Sequence, residues 1–204
     1  MLNRLFQTAV SRKIFVIRIF YLLWLIILLL FFQAARSVFA VNISAYKFWY
    51  PLAVYSGKLS LIFFIIVLLP GIFNRFRIRH KILGLIRIFR RHLGITMFLL
   101  AFTHGLIVSL LPKIKSGPPY ALTLFEFFGS FSLFFLFFLF ITSNDLSEKL
   151  LKIWWYRLHR LVYLIMWLIL FHTALQRLSL WSLLSAILVT AEMSAIIYSK
   201  LKKL

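Results

Sequence analysis

Five histidines are the residues of this chain best suited to chemistry: His80, His92, His104, His159 and His172. All except His80 lie within or at the ends of two long apolar runs. Ionisable side chains in such runs are costly, so they usually face the interior of a helix bundle or a cofactor. Neutral imidazole is an axial ligand of haem iron, and a bis-histidine haem needs one ligand from each of two facing helices.

The spacing of these histidines predicts two levels of ligands. His92 and His159 fall near one membrane face, whereas His104 and His172 fall in the opposite half. Spacings of 12 and 13 residues separate the levels by about 18 to 20 Å, enough to stack two haems across about 30 Å of hydrocarbon. At about 100° per residue, however, His104 lies about 120° around its helix from His92.

This rotation favours the outer pair, His104 and His172, over the inner pair. A bulge in the helix would reduce the offset, but the sequence does not reveal one. His92 is equally well explained as a solvated histidine at the membrane interface, and any single intramembrane histidine can be explained by a hydrogen bond between helices. His80 lies within a basic run and is predicted to be on the surface.

The composition requires that these histidines be positioned by membrane helices. The 204 residues are 63% hydrophobic and only 14% charged, which excludes a water-soluble globular protein. At about 20 residues per span, the chain accommodates about six spans and no extramembrane catalytic domain. The sequence has no cysteine, which excludes disulfides, iron–sulfur clusters and thiolate metal sites.

The apolar runs predict an all-α integral membrane protein, a single domain of six transmembrane helices. The predicted helices cover approximately residues 14–32, 56–73, 93–111, 121–141, 156–175 and 178–198. Residues 33–55 and 74–92 are predicted to be the longest loops, and Pro70-Gly71 is predicted to end the second helix. Glu126 and Glu192 are predicted to pair with Lys or Arg rather than to act in catalysis.

The distribution of basic residues predicts the orientation. Of the 24 Lys and Arg residues, 18 fall on the side that contains both termini and 6 on the opposite side. The positive-inside rule therefore places both termini in the cytoplasm. A membrane potential that is negative inside would assist outward electron movement by about 2.3 kcal/mol per 100 mV.

Several short motifs resemble the ferric reductase-like transmembrane domain family. Within that family, the chain is most similar to the haem-binding membrane subunits of bacterial periplasmic protein-methionine-sulfoxide reductase systems. The similarity covers roughly residues 50–177. The motifs are Ser56-Gly57-Lys58-Leu59-Ser60, Arg90-Arg91-His92-Leu93-Gly94, Thr103-His104, Pro119-Tyr120-Ala121-Leu122-Thr123, Thr142-Ser143, Trp155-Tyr156-Arg157-Leu158-His159-Arg160-Leu161-Val162-Tyr163 and His172.

The resemblance implies a six-helix b-type cytochrome in the bacterial inner membrane. Such a protein takes electrons from a cytosolic flavin reductase and passes them to a periplasmic partner, a molybdopterin enzyme in the methionine-sulfoxide system. The residues that match family haem ligands are His104, His159 and His172. Oxidase-type relatives place the inner histidine fourteen residues before the outer one, where this sequence has Arg90 rather than a histidine.

The cytoplasmic end offers a second cofactor possibility. An FMN could bind there with its phosphate held by Arg87, Arg90, Arg91 or Arg157, and the same arginines could pair with haem propionates. Arginines at such positions are more typical of helix ends anchored to lipid. The chain has no glycine-rich nucleotide-binding fingerprint, so the electron donor would be a separate flavin reductase or membrane quinol.

Two other functions fit the same sequence. One is a stand-alone ferric or metal reductase, or a quinol-linked cytochrome, that needs no protein acceptor. The other is a non-redox membrane scaffold or transporter whose histidines only join helices.

Overall fold

The structure, a computed structural model, describes residues 7, 10–40, 43–119 and 121–202. These residues are almost entirely helical and contain no strand. Six helical segments among them are long and apolar enough to cross a membrane, which confirms the predicted fold class. Tyr120, which belongs to one of the motifs above, and the first six residues lie outside the described part.

Nine α-helices and one π-helix form these six spans in the described residues. The first span is α1, the second α2, and the third combines α3, the π-helix and α4. The fourth is α5, the fifth combines α7 and α8, and the sixth is α9. Their bounds are α1 Lys13–Phe39, α2 Ile43–Arg75, α3 Lys81–Gly105, π Leu106–Leu110, α4 Leu111–Ser116, α5 Leu124–Ile141, α6 Asp145–Leu151, α7 Ile153–His159, α8 Val162–Gln176 and α9 Leu180–Leu201.

The helices are longer than the apolar runs predict. Most of the predicted loop 33–55 is helical, and the predicted loop 74–92 is helical from Lys81 onward. The prediction that Pro70-Gly71 ends the second helix is wrong, because α2 continues through both residues to Arg75. Membrane helices tolerate an internal proline when neighbouring helices cover the disturbed backbone, and Pro70 is buried.

A π-helix interrupts the third span just after His104. The N–H of Leu111 donates to the carbonyl of Leu106, five residues earlier. In the same pattern, the carbonyl of Ile107 would accept from the backbone nitrogen of Pro112. Proline has no N–H. The Tyr46 hydroxyl of α2 instead donates to the Ile107 carbonyl over 3.4 Å and ties α2 to this end of the span.

The core lies between α2, α3, α8 and α9. Phe64, Met97, Ile165, Met166 and Leu188 are buried there and form one apolar cluster. In contrast, few side chains of α1 and α5 are fully buried, as expected of helices that face lipid. The core thus holds α3 and α8, the two helices that contain His104 and His172, in a fixed relation.

Both intramembrane carboxylates are paired, as the sequence predicts. Glu126 of α5 accepts from Lys113 over 2.7 Å. Glu192 of α9 is buried and forms an ion pair with Arg75 of α2, whose guanidinium also donates to the Tyr163 hydroxyl of α8. Three spans are therefore joined at the inner end by one arginine.

We expect Glu192→Ala to lower the free energy of unfolding by about 3 kcal/mol, because it leaves a partly buried cation without its counter-charge. Thermal unfolding of the purified protein in lipid nanodiscs measures the effect. Glu148→Ala is the matched control, since Glu148 pairs with Arg91 at a more exposed site where an ion pair contributes about 1 kcal/mol or less. Equal losses in the two variants would contradict this account.

Candidate functional site

The predicted outer pair, His104 and His172, meets in the interior of the bundle. His104 is the second-last residue of α3, and His172 lies in the last turns of α8. Their ring centroids are 6.3 Å apart and their planes are inclined at 73°. Because α3 and α8 run in the same direction, the two imidazoles meet at the same depth.

Both imidazoles are held in the same tautomer by backbone carbonyls. His104 Nδ1 lies 3.0 Å from the Ala53 carbonyl of α2, and His172 Nδ1 lies 2.8 Å from the Phe125 carbonyl of α5. A carbonyl only accepts hydrogen bonds, so each Nδ1 carries the proton and each Nε2 keeps its lone pair. Among the described residues, neither Nε2 has a hydrogen-bond partner. This is the state of histidine that binds a metal.

The distance between the rings fits a shared metal ion. A metal bound to one nitrogen of each ring would hold the ring centroids about 6 Å apart, because metal–imidazole bonds are about 2 Å long and a ring nitrogen lies about 1 Å from its own centroid. The observed separation of 6.3 Å agrees. The described residues contain no group of three or more His, Cys, Asp or Glu that could hold a metal ion. Two imidazoles are the donor set of a bis-histidine haem iron.

Each imidazole packs against a glycine of a neighbouring helix. A Cβ placed on Gly57 of α2 would lie 2.7 Å from His104 Nδ1, and a Cβ on Gly129 of α5 would lie 2.7 Å from His172 Nδ1. Atoms of any larger side chain would overlap the rings. The sequence reasoning missed both glycines, although Gly57 lies within a motif that resembles the family.

The inner histidine of the fifth span, His159, lies where that span breaks. It is the last residue of α7, and Arg160 and Leu161 form a turn before α8. Its ring stacks on Trp155 with centroids 4.0 Å apart, and its Nε2 lies 3.2 Å from Thr142 Oγ1. The predicted fifth helix, 156–175, thus falls within one span, Ile153–Gln176, which contains a turn between two helices.

His92 faces α1 instead of His159. Its ring lies 5.4 Å from Phe20 and 5.8 Å from Trp24, and no ring contact with His159 occurs in the described residues. Its Nδ1 is buried and has no hydrogen-bond partner there. The rotation of about 120° between His92 and His104 explains this direction, because the two side chains leave different sides of α3.

Arg90 is exposed and lies within electrostatic range of His159. The guanidiniums of Arg90 and Arg91 both act electrostatically on His159, and Arg90 also acts on Tyr163 and Glu192. Arg91 is occupied by Asp145 at 2.5 Å and Glu148 at 3.2 Å. The hydrogen bond from the Arg91 guanidinium lowers the pKa of the Asp145 carboxyl.

The other basic candidates face outward. Arg157 lies over the Trp154 ring at 4.7 Å, and Arg87 is exposed. His80 is exposed, as predicted, and its Nδ1 accepts from the Ile82 N–H at the start of α3. Of the four arginines predicted to hold a phosphate or propionate, only Arg87 and Arg90 have no ion pair or ring contact among the described residues.

Comparison with known proteins identifies the family. The family model described as ferric reductase like transmembrane component matches residues 56–170, which is more than half of the chain and includes His104 and His159. Comparisons with curated proteins and with solved structures gave no match. Such a family indicates a redox role in the membrane. The chain belongs to the ferric reductase like transmembrane component family.

Proposed function

We propose that this protein is a b-type cytochrome that passes electrons across the membrane. The observation that carries the proposal is the pair His104 and His172, whose rings lie 6.3 Å apart with both Nδ1 atoms bonded to carbonyls. The family match covers His104 and ends two residues before His172, and it supports a redox function for the protein. A haem b bound there would accept and release one electron at a time.

The two histidines and the carbonyls beside them have different roles in this proposal. His104 and His172 supply the two axial nitrogens, and the carbonyls of Ala53 and Phe125 keep these nitrogens deprotonated. Both rings are half-buried between the helices. A six-coordinate iron with two histidines leaves no position for a substrate, so the site would transfer electrons and not convert an organic molecule.

We place a second redox group at the inner level, beside His159 and Arg90. This group would be a second haem b or an FMN, since a guanidinium binds a propionate or a phosphate equally well. Arg90 would hold the anionic group, because Arg87 faces outward and Arg91 and Arg157 already have other contacts. His92 would have to turn away from Phe20 and Trp24 to become a ligand of the same group.

The proposed donor is a cytosolic flavin reductase or membrane quinol, and the proposed acceptor is a periplasmic molybdopterin protein-methionine-sulfoxide reductase. The charge distribution supports this direction, because most Lys and Arg residues lie at the end of the bundle that contains His159. This end would be cytoplasmic in the inner membrane. A stand-alone ferric reductase is the second candidate, since the description of the matched family names ferric reductase.

Haem content tests the proposal directly. We expect His104→Ala and His172→Ala to lose the outer haem, because each removes one of its two axial ligands. We expect His159→Ala to lose the inner group, and His80→Ala to keep the wild-type content, since His80 is exposed. A pyridine haemochrome assay per mole of protein measures the result. Unchanged haem in both outer variants would refute the site, and a haem-free wild type would favour a scaffold or transporter.

Electron acceptors distinguish the two redox functions. We expect the reduced protein in nanodiscs to be reoxidised rapidly by a periplasmic molybdopterin sulfoxide reductase and at least tenfold more slowly by ferric citrate. Stopped-flow absorbance in the Soret band gives both rates. The reverse order would favour the stand-alone ferric reductase.

Reporter fusions at the C-terminus test the orientation of the protein in the membrane. Because six spans return the chain to the side on which it began, we expect both termini on the cytoplasmic side. A green fluorescent protein fused after Leu204 should be fluorescent in bacterial cells, whereas alkaline phosphatase fused there should be inactive. An active phosphatase would reverse the proposed direction of electron flow.

A further inference from the structure

We propose that Gly57 and Gly129 are positioning residues that fix the planes of the two imidazoles nearly at right angles. Each glycine forms, with the carbonyl four residues before it, a seat for one ring. The inference rests on the proposed function, because it assumes that the rings are axial ligands of a haem. It adds two residues whose role is geometric and which contact only the ligands.

The two seats have the same construction on different helices. In α2, the Ala53 carbonyl binds His104 Nδ1 at 3.0 Å, and Gly57 lies against the ring. In α5, the Phe125 carbonyl binds His172 Nδ1 at 2.8 Å, and Gly129 lies against that ring. A spacing of four residues places the carbonyl and the glycine on one face of a helix, one turn apart.

Each seat uses both lone pairs of one carbonyl. In a regular α-helix the carbonyl of residue i accepts from the N–H of residue i+4, so the glycine N–H occupies one lone pair. The other lone pair accepts from the imidazole. In α2 the Ala53 carbonyl also accepts from Ser56 Oγ over 2.7 Å, so three donors share it. The imidazole must therefore approach the helix surface above the glycine, and this approach leaves no room for a side chain.

The distances exclude alanine at both seats. A Cβ at Gly57 would lie 2.7 Å from two atoms of the His104 ring, and a Cβ at Gly129 would lie 2.7 and 2.9 Å from two atoms of the His172 ring. An imidazole is rigid and cannot bend away from such a contact. The ring must rotate or withdraw, and either change breaks the bond from Nδ1 to the carbonyl.

The seats fix the inclination of 73° between the two rings. The plane of an axial imidazole determines which iron d orbitals it splits, and nearly perpendicular planes leave two of these orbitals close in energy. A low-spin ferric haem then shows one strongly shifted g value in its electron paramagnetic resonance (EPR) spectrum, whereas parallel planes give three well-resolved lines. The hydrogen bond to each carbonyl also makes the imidazole a stronger donor, which stabilises the ferric state.

The test compares alanine variants of four glycines in the haem-loaded full chain. Gly57→Ala and Gly129→Ala change the seats. Gly71→Ala in α2 and Gly94→Ala in α3 are matched controls on membrane helices, because nothing lies within 4 Å of a Cβ at either position. The measurements are the EPR spectrum, the reduction potential and the haem dissociation constant.

We expect the wild type and both controls to show the single strongly shifted g value. Each seat variant should lose that signal, shift its reduction potential upward and bind haem about 10 to 100 times more weakly. A wild type with three well-resolved lines would overturn the inference. So would seat variants that match Gly94→Ala in all three measurements.

A double variant separates the geometric role from a failure to fold. The three atoms nearest to a Cβ at position 57 all belong to the His104 ring, so Gly57→Ala with His104→Ala should have the same thermal stability as His104→Ala alone. A further loss of stability in the double variant would show that Gly57 serves helix packing and would overturn the inference. A wild type that binds no haem would instead refute the proposed function, which distinguishes the two failures.

Discussion

The hydrogen bond from each imidazole Nδ1 to a backbone carbonyl is the interaction on which the site depends. In a membrane interior an unsatisfied polar group costs several kcal/mol, so a neutral histidine there must place at least one nitrogen against a partner. His104 and His172 both use a carbonyl of an adjacent helix. The remaining nitrogen of each ring is then available, unprotonated, for a ligand between the helices. A single requirement, the satisfaction of polar groups in lipid, thus produces both the packing and the chemistry.

The inner end satisfies its polar groups with charges instead. Arg75 joins Glu192 and Tyr163 across three spans, and Arg91 holds the short helix α6 through Asp145. Since the sequence has only four acidic residues and all of them are paired, most cations at this end have no counter-charge in the protein. The site of His104 and His172 lies among apolar side chains and is half-buried, whereas the end of the bundle that contains His159 is positively charged.

The sequence predicts the class of fold and the outer pair of histidines, because hydropathy and residue spacing determine depth in a membrane. The depth of a residue in the membrane does not determine which neighbouring helix its side chain faces. His92 has the right depth for His159, but its rotation about α3 turns it toward Phe20 of α1. Gly57 and Gly129 could not be predicted from the sequence, because their role depends on which helices become neighbours. Hydropathy contains no information about which helices are neighbours. The end of α2 was also predicted wrongly. A proline usually interrupts a helix in water, but Pro70 is accommodated because neighbouring spans cover it.

The π-helix at Leu106–Leu110 separates the register of His104 from that of the helix end beyond it. A π-turn contains one residue more than an α-turn, so deletion of a single residue there would restore a regular α-helix. Because the wider turn absorbs the extra residue, the helix before it, including His104, and the helix after it, including Lys113, would both keep their directions. A residue can therefore be gained or lost at this turn over evolution without moving His104. Such a turn allows changes of chain length near the rim to leave the histidine pair in place.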